Sequence, residues 1–327
     1  MMKKTTSALA IAALLGTGAA SAATFQVNDD TTITLFGDLQ FAYYDQNDTN
    51  GDSASNITDN ASSLVFGAEQ VQSNGLTTFG HIDLDGFGTL EDDTSSAGTG
   101  ATDLTVDEAI VGVRGDFGSI AFGRNEGAYE MVADYFDYQE GIIPTAIGPG
   151  DISRVVQYRN SVDNVDFGID VQVNSDDEKA ATDGSSASFA GSIAVDLDAV
   201  VLTGAYDQRA NGNDDPRYGA VASFGLGDVG IDLGYQLDDG DNASDILSLG
   251  GRYTYGPGDL YGVAQNISYD NKVTNDQARN GEDSFTEVAI GANYNVGTNM
   301  YVWAEYGQYD LNDDENDGLA TGVYYSF

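Results

Sequence analysis

The sequence predicts an all-β fold, a 16-stranded antiparallel transmembrane β-barrel. Three observations predict it. Side chains alternate between an apolar and a polar face along many short segments. Short turns alternate with long polar loops from one end of the chain to the other. No helix or second layer is at hand to cover the apolar faces, and a closed barrel meets that need by turning them to lipid.

Taken in order, the strands are expected at 33–44, 62–71, 76–84, 104–115, 118–123, 154–158, 165–173 and 187–197. The second half follows at 200–208, 217–226, 229–237, 244–255, 260–270, 284–294, 300–310 and 319–327. Tight turns at 72–75, 227–228, 256–259 and 295–299 alternate with polar loops at 46–61, 86–103, 174–186 and 271–283. Placing all the long connections at one end suits a membrane barrel and gives a soluble sandwich nothing. In the cleanest strands Val165, Phe167, Ile169, Val171 and Val173 alternate with Asp166, Gly168, Asp170 and Gln172. Likewise Val229, Ile231, Leu233, Tyr235 and Leu237 alternate with Gly230, Asp232, Gly234 and Gln236. By this parity Asp38, Asp166, Asp170 and Asp232 line a wet interior. In 300–310 both parities carry large residues; Glu305 shares a face with Trp303, and an inward or a subunit-contact position both stay open. Tyr255 with Tyr261, Tyr294 with Tyr301 and Tyr206 with Tyr218 flank connections, which resembles two interfacial aromatic girdles.

The first residues read as an export signal: Lys3 and Lys4, an apolar run over 8–15, then Ala20-Ser21-Ala22. The mature barrel domain is expected at 23–327, after a signal at 1–22. Twelve basic residues against 53 acidic ones, a formal net charge of −41, exclude nucleic acid as a partner, because phosphates must be neutralised by lysine and arginine. With no cysteine, disulfide, thiolate and Fe–S chemistry are absent. His81 is the only histidine, and no serine or cysteine elbow accompanies it, so no enzyme and no cofactor are expected. Asp310-x-Asn312-x-Asp314 opens like an EF-hand but has Glu315 and Thr321 where glycine and glutamate are required, so no metal site is expected.

Several segments resemble the general bacterial diffusion porins of the Gram-negative outer membrane. Residues 109–125, with Gly112, Gly115, Phe117, Gly118 and then Gly123-Arg124, are similar to that family's fourth and fifth strands. Leu64-Val-Phe-Gly followed by Asn74-Gly75-Leu76, Leu35-Phe-Gly-Asp38, and Val156-Gln-Tyr-Arg-Asn-Ser161 match further pieces in the family's order. The C-terminal Phe327 resembles the aromatic by which outer-membrane barrels are recognised for insertion. The resemblance implies a homotrimer in outer-membrane lipid and lipopolysaccharide, with the third loop, 125–153, folded inward to narrow the pore. Its apolar content (Tyr129, Met131, Val132, Tyr135, Phe136, Ile142, Ile143, Ile147) also suits packing rather than solvent. It further implies a constriction set by the loop carboxylates Glu126, Glu130, Asp134, Asp137, Glu140 and Asp151 against Arg124, Arg154 and Arg159. Asp38 and Ser63 stand where the family commonly has lysine and arginine. The expected function is passive diffusion of small hydrophilic solutes and ions across the outer membrane, with a preference for cations. The alternatives are a solute-specific channel and a secreted acidic β-sandwich acting as adhesin or calcium-dependent binding module.

Overall fold

The computed structural model describes residues 22–47, 51–86, 105–138, 140–142, 151–173, 187–208, 216–239, 244–269, 284–310, 314 and 316–327. Its strands are β1 (Ala23–Asn28), β2 (Thr31–Asn47), β3 (Ser53–Asp59), β4 (Ser63–Val71), β5 (Thr77–Asp85), β6 (Thr105–Gly115) and β7 (Gly118–Glu126). A short helix α1 (Glu130–Ala133) and a 3-10 turn (Asp134–Phe136) follow. Then come β8 (Asp151–Val162), β9 (Val165–Val173), β10 (Ala187–Asp196), β11 (Val200–Asp207), β12 (Arg217–Leu226) and β13 (Val229–Asp238). The last five are β14 (Ser244–Thr254), β15 (Asp259–Tyr269), β16 (Ser284–Asn295), β17 (Met300–Tyr309) and β18 (Gly318–Ser326).

From β4 onward each strand pairs antiparallel with the next, and β18 pairs with β2 from Ser326↔Asp38 to Gly318↔Gln46, which closes the ring. β3 and β4 pair with the upper and lower halves of β2 and are two parts of one wall strand, so the barrel is sixteen strands around. Among the described residues the closed ring has no second sheet to pack against, and the sandwich alternative is excluded.

Inside and outside are fixed by exposure. Leu247 and Leu249 are 62% and 51% exposed, whereas Ile246 and Ser248 between and before them are 1% and 2% exposed. The large exposed face is the lipid face, as a membrane barrel requires. The apolar core lies within the ring: Tyr129, Val132, Phe136 and Ile142 of the third loop pack with wall residues such as Val221, Ile246, Val263 and Trp303.

Three expectations need correction. The region 46–61 is not all loop, since Ser53–Asp59 continues the wall in register with β2 (Asn47↔Ser53 to Phe41↔Asp59). Its sequence, Ser-Ala-Ser-Asn-Ile-Thr-Asp, lacks alternating large apolars because backbone pairing above the lipid band needs none. β1 is a further strand, along the edge of β2 that β18 leaves free below Phe327. Among the tyrosines, Tyr261 and Tyr301 face inward to carboxylates, while the girdle is built by others, as in the outer Phe189–Tyr206–Tyr218 ring cluster.

Candidate functional site

The third loop is held inside the barrel by shape and by one buried carboxylate. Tyr129, Val132, Ala133 and Phe136 recur at helical spacing, so α1 and its 3-10 extension present one apolar stripe to the wall. Opposite it the wall carries glycines. A Cβ added at Gly219, Gly234, Gly250 or Gly307 would come within 3.0 Å of Val132, Phe136, Tyr138 or Ile142 respectively. Each glycine is a socket for one loop side chain, and burial of Val132, Phe136 and Ile142 stabilises docking by about 1.5–3 kcal/mol each.

The loop tip is latched by Glu305 on β17, which lies inward and is only 2% exposed. One carboxylate oxygen accepts the Glu140 N–H (2.6 Å) and the Tyr261 hydroxyl (2.7 Å); the other accepts the Gly141 and Ile142 N–H groups (2.9 and 2.8 Å). The Glu140 carboxylate accepts from Tyr301 (2.8 Å), and its carbonyl accepts from Asn60 Nδ2 (2.7 Å). At the front of the loop, the Ala128 N–H donates to Asp170, Tyr129 donates to the Tyr218 carbonyl (2.9 Å), and Tyr135 bonds Thr203 (3.0 Å). The loop thus sweeps from β9 past β11 and β12 to β17.

Its other face is acidic. Asp134 and Asp137 are exposed to the lumen. Enclosure by the barrel raises the Asp134 carboxyl to about 8, with Glu126, Glu130 and Asp137 adding to it. Asp137 is raised by burial and then by Glu305. Both open to lumen water, which weakens that enclosure. Glu140 is more enclosed. Burial pushes it up to about 7 despite the Tyr301 hydrogen bond, Glu305 and Asp137 push the same way, and Arg252 opposes them.

The facing wall is acidic as well. Asp38 is buried and accepts from Ser63 Oγ and Gln40 Nε2, both at 2.8 Å. Asp83 and Asp85 alternate inward along β5, and a register shift opposite Ile82–Leu84 lets both Asp107 and Glu108 of β6 face the lumen side. Carboxylate oxygens of Asp83, Asp85 and Asp107 lie within 4.8 Å of one another, a spacing that could hold a hard divalent cation. Glu108 bonds His81 Nε2 at 2.6 Å.

The expected site residues separate by position. Arg124 is redirected by Gly123 (φ 149°) and a register shift, and it reaches the Asp107 carbonyl and, at 3.7 Å, its carboxylate. Arg159 forks onto Asp170, so this pair is internally compensated. Asp232 is buried on the wall of β13, and Asp166 sits low on the same face of β9 as Asp170, bonded by Ser161. Glu126 ends β7, and Glu130 is buried in α1. Arg154 is not brought to the loop: at φ 57° on the side of Val156, it is exposed and donates to the Val173 carbonyl (3.2 Å). The Asp151 side chain, with Ile143 and Ile147, lies outside the described residues. Missed altogether were Asp83, Asp85, Asp107, Glu108 and Arg252. His81-x-Asp83-x-Asp85 was open to a period-two reading, whereas the adjacent pair Asp107-Glu108 needs a bulge that no sequence pattern announces.

A profile of the Gram-negative porin family matches residues 5–314. A monosaccharide porin of a Halomonas species is 29% identical over 380 residues, spanning all of both chains. Among solved structures, Salmonella typhi OmpF in complex with daunomycin superposes with a TM-score of 0.70 at 21% identity, covering 93% of this chain and 100% of that one. The trimer form of Vibrio cholerae OmpT gives 0.67 at 14% identity, over 91% and 100%. At these identities the two structures show the shared fold.

Proposed function

The chain belongs to the Gram-negative porin family, and on that premise we propose that it is a trimeric diffusion channel preferring cations to anions. It is an outer-membrane β-barrel and a passive channel, as the members of its family are. One observation carries the cation preference: both sides of the constriction are acidic, Asp134, Asp137 and Glu140 on the loop against Asp38, Asp83, Asp85 and Asp107 on the wall. Of the basic groups nearby, Arg114 is tied to Glu69, Arg124 to Asp107, Arg159 to Asp170 and Arg217 to Asp238, and Arg252, held between two aromatic rings, is outnumbered by these carboxylates. Each charge acts weakly in a wet lumen, but many of one sign sum to a potential of several kT. The preference should fade as salt rises, since the Debye length is about 10 Å at 0.1 M. A reversal potential in a KCl gradient tests it; chloride preference at low salt would overturn it.

Trimer formation draws support from the trimeric OmpT, and a heat-modifiable trimer band on electrophoresis is the expected observation. Residues 1–22 would be removed on export, and N-terminal sequencing of the membrane form checks this. Outer-membrane lipid and lipopolysaccharide would meet the exposed apolar band.

A second reading is a channel selective for a class of solute. It is favoured by the Halomonas relative, itself named a monosaccharide porin. Saturation of flux with solute concentration separates it from simple sieving.

A further inference from the structure

The described lumen arginines fall into two kinds. Arg114, Arg124, Arg159 and Arg217 each have a carboxylate oxygen within 4.0 Å. Arg252 of β14 differs. Among the described residues no carboxylate oxygen stands at that distance from it, and its Nε is buried without an acceptor. Two aromatic rings hold it instead: its guanidinium carbon lies 5.3 Å from the Tyr138 ring of the loop and 5.9 Å from the Tyr261 ring of β15. Tyr138 reaches that position because Gly250, two residues before Arg252, leaves the space of a side chain.

Asp232 is the matching acceptor. It pairs with Gly250 across β13 and β14, so it lies diagonal to Arg252 on the inner face, where such neighbours interact. It is 6% exposed, and its Oδ1 has no hydrogen-bond partner among the described residues. Glu140, a further acceptor, is an electrostatic neighbour of Arg252 from the loop tip. A guanidinium and the Asp232 carboxylate therefore stand as neighbours on the wall where the loop docks, with no ion pair within 4.0 Å between them among the described residues.

We propose that Arg252, Asp232 and Tyr138 form a solute subsite for a neutral polyhydroxyl ring, a sugar-sized pyranose. Vicinal hydroxyls both accept and donate, so one solute can take hydrogen bonds from the guanidinium and give one to the carboxylate. The surrounding carboxylates repel free anions, which leaves Arg252 to select by hydrogen-bond geometry rather than by net charge. This inference rests on the solute-selective reading above and deepens it.

The test uses the full-length refolded protein in planar bilayers and in proteoliposomes. Glucose should block the ion current saturably in the wild type, and its uptake should saturate. Arg252→Gln should raise the half-saturating glucose concentration at least about tenfold, the loss of a charged hydrogen-bond donor. Arg252→Lys should recover little of it, because the planar fork and its ring stacking are lost. Arg114→Gln, on a paired arginine, should leave glucose saturation in place. Glucose flux that rises linearly in the wild type, or saturation unchanged in Arg252→Gln, overturns the subsite while ion conduction leaves the channel itself standing. Saturation by glycine but not glucose would assign the site to zwitterions and also overturn it. A protein that folds yet conducts no ions would sink the channel reading instead.

Discussion

The two sides of the constriction use the same residue types to opposite ends. Behind the third loop, a carboxylate is surrounded by donors: Glu305 accepts three backbone N–H groups and a phenol, and four glycine sockets take four side chains. Across the lumen, Asp83, Asp85 and Asp107 stand close together with like charges facing one another. On the first side acidity fixes geometry. On the second it is compensated only in part, by Arg124 at Asp107, and the residual charge is what a passing ion meets. The contrast shows why charge counts do not locate function here: a carboxylate with all its acceptors filled is structural, and one short of donors is exposed to the permeant species.

The most disruptive way to break this contrast is Glu305→Leu. It leaves three N–H groups and the Tyr261 hydroxyl without their acceptor, at a cost to loop docking of about 2–5 kcal/mol. Single-channel conductance should rise and become noisy, and protease should cut between 126 and 150 while the barrel stays folded. Unaltered conductance would mean that the sockets alone hold the loop. A smaller effect is expected from filling one socket. Gly234→Val would collide with Phe136, and overpacking of this kind costs roughly 1–3 kcal/mol. Hydrogen exchange over 130–138 should accelerate without loss of heat-modifiability.

On the opposite wall the triple change Asp83→Asn, Asp85→Asn and Asp107→Asn removes charge with little change of shape. The cation-to-anion permeability ratio at 0.1 M salt should fall roughly threefold, a change of about one kT in local potential. At 1 M, where the Debye length is about 3 Å, wild type and variant should converge. Equal ratios at low salt would place the selecting charges on the loop alone.

The same contrast explains what the sequence conveyed. Barrel class and closure were legible because alternation is a local, periodic signal, and the inward loop was implied by the family resemblance together with the apolar content of 125–153. Asp38, Asp170 and Asp232 were placed on the wall by parity for the same reason. Glu305 stayed ambiguous because its partners are backbone groups 163 to 165 residues away in the chain, which leave no trace in side-chain pattern. Arg154 was misplaced because its position was carried over from the family resemblance at the loop's return, whereas its parity with Val156 turns it outward. The polar strand β3 and the bulge at Asp107-Glu108 are set by backbone pairing, which the side chains do not advertise.

The smallest effect expected is on pH, and it falls on Glu140, where the two sides meet. Its ordinary carboxyl value is 4.5 and its docked value about 7, raised first by burial. Between these values the docked loop binds more protons than a released one, so docking weakens as pH rises through the window. The contribution is fully present below about 4.5 and gone above about 7. The groups facing Glu140 act on the same balance: Glu305 and Asp137 disfavour its charge, and Tyr301 and Arg252 favour it. Protection from hydrogen exchange over 130–142, taken relative to the intrinsic exchange rate at each pH, should therefore be greater at pH 5 than at pH 8, and the cation preference weaker, because the same protonation removes one loop charge. Glu140→Gln should flatten both slopes in this range while leaving the low-salt preference from the facing wall. If the variant keeps the wild-type slope, Glu140 is not the titrating group, and Asp134, raised to about 8 on the lumen side of the loop, is the next to replace.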